Sequence, residues 1–231
     1  MTSARIKNFG KINRDKAISF TWDNKKYFGY EGDTLASALL ANDIKIIGRS
    51  FKYHRPRGIM SCGVEESGAV VTIGSESKTD PNVRATTQEL YSKLVAKGQN
   101  AFPNVNFDLG GINNYLSRFF PAGFYYKTFM GLPPFEWGKG TGIWMFFEKI
   151  IRKAAGMGTA SREPDPDNYE HAHDFCDVIV IGSGPAGVAA ALEIVNKKVN
   201  VILVEQDSLV GGDNLSEKNF DSKSIYNQLK N

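Results

Sequence analysis

The chain has 231 residues, 42% of them hydrophobic, which suffices to bury a core and suggests one or two domains. Its 28 basic and 25 acidic residues leave a net charge of +3, too balanced to argue for nucleic acid as a partner. No apolar run reaches the roughly 18 residues of a membrane helix, the N-terminus lacks the apolar core of a signal peptide, and the two cysteines, Cys62 and Cys176, are too few for a disulfide framework. These features exclude a membrane span and point to the cytoplasm.

Ile18 to Asp23 and Lys26 to Tyr30 read as two strands joined across Asp23-Asn24-Lys25. A helix follows, capped by Asp33 or Thr34, with Leu35, Ala38 and Leu39 on one face up to Asn42. Ile44 to Ile47 and Ala69 to Ile73 read as two further short strands. This order predicts a small β-grasp domain over residues 1–98. Between the last two strands lies GRSFKYHRPRGIMSCGVEESG, in which Arg49, Lys52, Arg55 and Arg57 alternate with Phe51, Tyr53 and His54, a mix suited to an anion or an acidic partner surface. In plant-type ferredoxins, which share the β-grasp layout, this loop carries cysteines that hold a [2Fe–2S] cluster. Only Cys62 lies in it here, and a cluster needs about four thiolates, so the domain is expected to be ferredoxin-like but cluster-less, with no iron–sulfur site. Nor do the three histidines of the chain suggest a zinc site; His171-Ala-His173 reads as a solvated pair.

Arg84 to Leu94 reads as a strand end passing into a short helix, after which regular periodicity fades. Residues 99–173 form an irregular, aromatic-rich connecting segment and a helix. Phe119, Phe120, Phe124, Tyr125, Tyr126, Phe129, Phe135 and Trp137 carry too much apolar area to stay in water, so this stretch packs either over the rest of the chain or on another one. Ile143 to Ala155 reads as a helix stopped by Gly156 and Gly158. The polar, proline-containing stretch after it marks a boundary.

Residues 174–231 carry the most specific chemistry, the start of a Rossmann-type FAD/NAD-binding domain, so the fold class is α+β followed by α/β. Val178, Ile179, Val180 and Ile181 are a continuous apolar run, the pattern of a parallel strand buried on both faces. Gly182-Ser183-Gly184-Pro185-Ala186-Gly187 then supplies three glycines at the spacing of a pyrophosphate-binding turn. Gly182 permits the turn, Gly184 leaves room for the phosphate, and Gly187 brings the helix close to the strand. The phosphate would meet free N–H groups at the positive end of the helix. A helix continues to Val195, with Lys197 and Lys198 near its C-terminus. Val199 to Val204 is a second buried strand, and Glu205 at its end can accept both hydroxyls of an adenosine ribose, which excludes a 2′-phosphate. The expected cofactor is NAD or FAD. Gly211-Gly212-Asp213-Asn214 and a polar tail follow, short of the third parallel strand a doubly wound domain requires, so the dinucleotide-binding βαβ unit is expected to be an incomplete, truncated one.

GRSFKYHRPRGIMSCGVEE, RFFPAGFYYKTFM, the helix ending IRKAAGMG and VIVIGSGPAG occur in the order and spacing of a known family: the chain resembles the N-terminal part of the α subunit of heterotetrameric sarcosine oxidase. The resemblance covers nearly all of residues 5 to 215. It implies oxidative demethylation of sarcosine to glycine in a complex of four unlike subunits, with NAD on the α subunit, FAD and a covalent FMN serving the partner β subunit and its interface, and a folate site in a C-terminal region of α absent from this chain. Gly182, Gly184, Gly187 and Glu205 carry over residue by residue, whereas no residue here is placed to act on the amine, so the isolated chain is expected to be inactive. Two alternatives stand beside this: a scaffold that holds partner subunits, and a subunit acting on another secondary amine, such as an opine or proline.

Overall fold

The computed structural model describes residues 4–6, 11–119, 145, 147–149, 151–152, 158–195, 197, 199–207, 209–217 and 219–230. They fall into two compact units, Met1–Pro166 and Asp167–Asn231.

The first unit is built on a hairpin of β1 (Asn13–Trp22) and β2 (Lys25–Glu31). The turn is two residues long, because Lys25 already pairs with Trp22. Asp23 and Asn24 both have positive φ, 44° and 64°, the backbone twist that a tight hairpin requires. Helix α1 (Leu35–Ala41) starts at Thr34, not at Asp33. The Thr34 side chain accepts from Ser37 N–H at 3.2 Å and the Ser37 hydroxyl accepts from Thr34 N–H at 3.0 Å, a reciprocal capping box. The buried Asp33 carboxylate instead accepts from Tyr30 N–H, the Ser37 hydroxyl and the Arg5 guanidinium.

β5 (Val70–Ile73), β6 (Asp80–Arg84) and β7 (Val95–Gly98) complete a five-stranded sheet in the order β2-β1-β7-β5-β6. β7 lies parallel beside β1, and every other pairing is antiparallel. Hairpin, helix, and a late strand inserted parallel to the first make the β-grasp arrangement expected. Phe20, Trp22, Leu35, Leu39, Ile47, Val71, Leu94 and Val105 fill the core between sheet and helix.

Two local readings are corrected, and one strand is added. Ile44 to Ile47 is not a strand: Ile44 N–H turns back to Leu39 O at the end of α1, and Ile47 is buried beside a two-rung ladder of β3 (Gly48–Arg49) and β4 (Pro56–Arg57). There is no helix in residues 84–94. Leu90 and Leu94 have helical spacing, but the backbone bonds to other elements, Leu90 N–H to Asp33 O and Lys93 N–H to Ser19 O. β7 went unread because it is four residues long and has only Val95 and Ala96 as apolar side chains, adjacent to one another, too short a run for a strand pattern to show.

Much of the basic loop is engaged within the unit. Arg49 donates to the carbonyls of Val105, His54 and Asn106, Arg55 donates to Asn114 while lying over the Tyr53 ring, and His54 Nδ1 sits 2.7 Å from Asp108. Residues 120–144, which hold all of the aromatic cluster except Phe119, lie outside the described residues. Of the helix read over Ile143 to Ala155, residues 145, 147–149 and 151–152 are helical, with Arg152 donating to Glu148 one turn away; the remainder lies outside the described residues.

In the second unit, β8 (Val178–Ile181) and β9 (Val201–Val204) form a parallel, in-register pair connected by helix α2 (Pro185–Val195). The expectation of strands buried on both faces is not met. Ile179 and Ile181 are 57% and 81% exposed, because within this unit α2 covers one face through Val188 and Ala191 and no described residue of the unit covers the other. The polar tail also differs from expectation: Ser222–Lys230 is a helix, α3, with Ser222, Ile225 and Leu229 half-buried along one stripe. Asp221 starts it by accepting from Lys223 N–H.

Candidate dinucleotide site

The glycine turn connects β8 to α2. Gly182 has φ +89°, a conformation that side chains rarely adopt, and its N–H donates to Val204 O at 2.8 Å, fastening the turn to the end of β9. A Cβ on Gly187 would fall 2.0 Å from Gly182 O, so helix and strand approach as closely as they do only because position 187 is bare. Open space lies beside Gly184, where a phosphate would approach. Pro185 begins α2, where its missing N–H costs nothing. Pro185 and Ala186 are exposed at the mouth of the turn, and Ser183 is fully buried.

Glu205 is brought against this turn. Its Oε2 accepts from Ser183 N–H at 2.6 Å and from the Ser183 hydroxyl at 2.5 Å, while Oε1 accepts from the N–H groups of Gln206 and Asp207 at 2.7 and 3.0 Å. The Ser183 hydroxyl above all, opposed by partial burial, lowers the Glu205 carboxyl from the ordinary 4.5 to about 2. The acid is therefore a fixed anion at the turn.

Two residues beyond those expected join the site. Gly211 N–H donates to the Ser183 hydroxyl at 3.2 Å, and a Cβ on Gly212 would lie 3.0 Å from Gly184 Cα. The double glycine six residues past the acid was visible in the sequence, but only the fold shows that this loop returns to the turn.

In the first unit, the loop corresponding to a ferredoxin cluster loop is organised around Glu66. This buried carboxylate accepts from the N–H groups of Met60, Ser61, Gly68 and Ala69 at 2.7, 2.8, 2.5 and 3.0 Å. Burial opposes its charge, and the four backbone donors outweigh burial, so its carboxyl lies below the usual range. Cys62 is exposed, Cys176 belongs to the other unit, and no group of three metal-ligating side chains occurs among the described residues.

Residues 15–101 match the family model for a 2Fe-2S iron-sulfur cluster binding domain, and residues 177–218 match the model for an FAD dependent oxidoreductase. Across 94% of its length the chain is 51% identical to the sarcosine oxidase subunit alpha of Rhizobium meliloti. Over 87% of its length it is 31% identical to the subunit of the same name from a Corynebacterium species. This chain is a relative of sarcosine oxidase alpha subunits. It spans 21% and 16% of the length of those two proteins. The crystal structure of L-proline dehydrogenase from P.horikoshii overlays on 94% of this chain and 31% of that one, with a TM-score of 0.44 and 20% identity.

The residues of the sarcosine oxidase relative fit its two family models unequally. The glycine turn, its open flank and the anchored acid suit a dinucleotide. The two cysteines of the whole chain do not suit a cluster that takes about four, and the cluster loop has a carboxylate at its centre.

Proposed function

We propose that this chain is the N-terminal part of an alpha-type subunit of an amine-oxidising flavoenzyme of the sarcosine oxidase kind, and that it contributes a dinucleotide site made by Gly182, Ser183, Gly184, Pro185, Ala186, Gly187 and Glu205. The observation that carries the proposal is the close approach of α2 to β8 at Gly187, with Glu205 held as an anion beside the open flank of Gly184. The bound dinucleotide is FAD or NAD. A flavin or nicotinamide would supply the redox chemistry, while these residues bind pyrophosphate through backbone N–H groups and the ribose through Glu205.

The proposal extends to a complex with further subunits that carry FAD and FMN, to sarcosine as the amine, to the cytoplasm, and to a β-grasp domain without iron. No helix among the described residues is long and apolar enough to cross a membrane. A scaffold role is the second reading. It draws on the exposed side chains of Phe102, Phe107, Leu109, Ile112, Tyr115 and Phe119, an apolar stretch suited to contact with another chain. Calorimetry with FAD, NAD and NADP on the protein purified with its partners tests the dinucleotide site. FAD or NAD binding ahead of NADP supports it, and equal or tighter NADP binding overturns the role given to Glu205.

A further inference from the structure

Ser183, between the first two glycines of the turn, is fully buried, and its hydroxyl both donates and accepts a hydrogen bond. Oγ donates to Glu205 Oε2 and accepts from Gly211 N–H. One side chain thus joins the three segments of the site: the turn, the acid at the end of β9, and the loop that returns to the turn.

We infer that Ser183 determines specificity in this site by fixing the Glu205 carboxylate against the turn, so that an adenosine ribose with a free 2′-hydroxyl is accepted and a 2′-phosphate is turned away. This rests on the reading of the turn as a dinucleotide site.

Each carboxylate oxygen of Glu205 already accepts two bonds. An incoming ribose must take up lone pairs now given to the N–H groups of Gln206 and Asp207, the acid's own neighbours in the chain. While those are exchanged, the two bonds from Ser183 keep Oε2 in place. Of these two, the backbone N–H would persist with any residue at 183, and only the hydroxyl depends on serine. A free carboxylate facing a phosphate could escape repulsion by swinging into water or by taking a proton. The hydroxyl closes both routes, since it anchors the group and stabilises its ionised form.

The test uses the complete protein, with ADP-ribose and 2′-phospho-ADP-ribose as calorimetric probes, because the first fragment is common to NAD and closely matches the adenosine diphosphate part of FAD. Wild type binds ADP-ribose more tightly than its 2′-phosphate. In Ser183→Ala the ratio of the two affinities falls by roughly tenfold, the scale of one lost hydrogen bond to a charged group. Glu205→Gln lowers the same ratio, and adding Ser183→Ala to it lowers the ratio little further, as expected for two residues acting as one unit. Equal weakening of both probes in Ser183→Ala, with the ratio unchanged, would reduce Ser183 to a structural residue and overturn the inference. Wild type that binds neither probe overturns the dinucleotide reading together with it. Should Ser183→Ala melt below the assay temperature, Ser183→Cys, somewhat larger but a much weaker donor, carries the same comparison.

Discussion

Gly187 and Gly182 meet so closely that a methyl group on Gly187 would lie 2.0 Å from the Gly182 carbonyl oxygen, whereas one on Gly184, between them, would touch nothing. The two positions should fail in different ways. Gly187→Ala should destabilise the second unit by about 1–3 kcal/mol or more, the usual range for overpacking. Gly184→Ala should leave the melting temperature nearly unchanged and weaken dinucleotide binding by at least roughly tenfold, because the new Cβ stands in the phosphate's path. Melting curves and calorimetry on the two variants separate these outcomes; loss of stability in both would show that Gly184 serves packing.

Glu66 should matter to the first unit as cluster ligands do in a ferredoxin. In Glu66→Gln one oxygen becomes an NH2 group facing N–H donors, so about two buried donors lose their acceptor, at roughly 1–3 kcal/mol each. Urea unfolding should register the loss, and limited proteolysis should cut residues 58–69 faster. A variant as stable as wild type would mean that solvent satisfies those donors.

Acid should weaken the second unit in a defined window. The Glu205 carboxyl titrates near 2 in the folded chain and at its ordinary 4.5 when unfolded. The unfolded state therefore takes up the proton first as pH falls, so the stabilisation is complete above the unfolded value and is lost progressively between 4.5 and about 2. Glu205→Gln should be less stable than wild type at neutral pH and lose less on acidification. Thermal melts across that range test it, and parallel wild-type and variant curves would contradict it.

Metal analysis of the purified protein should find no iron or acid-labile sulfide, despite the match of residues 15–101 to a cluster-binding family. Iron at about two atoms per chain would require thiolates donated by another polypeptide.

The sequence made the parts with strong local chemistry readable. The hairpin, read with Lys25 in its turn as well as Asp23 and Asn24, the helix opened at Asp33 or Thr34 and the turn at Gly182 each rest on residues whose backbone preference acts within a few positions. What escaped reading depends on distant partners. Leu90 and Leu94 have a helix's spacing in a segment whose N–H groups bond to Asp33 and Ser19. Ile179 and Ile181 have the composition of a doubly covered strand, but coverage depends on what packs above them. In the site, glycine spacing pointed to the turn and the acid, while the Ser183 hydrogen bonds to Glu205 and Gly211 link residues 22 and 28 positions apart. No local pattern encodes those.

The parallel pairing of β7 with β1 sets the order in which the first unit can assemble. β1 and β2 can zip together as soon as both exist, but β1's other neighbour is a strand that begins more than seventy residues later, at Val95. Val105 seals the core only after that strand has emerged. During synthesis the hairpin must wait with one edge and the buried faces of Phe20 and Trp22 unprotected. The most slowly satisfied contacts are therefore at the sheet's centre, where closing a long loop precedes any gain from pairing. Nascent chains halted before Val105 should be open to chaperone binding and to strand-edge aggregation, and those extended past it should become protease-resistant in a single step.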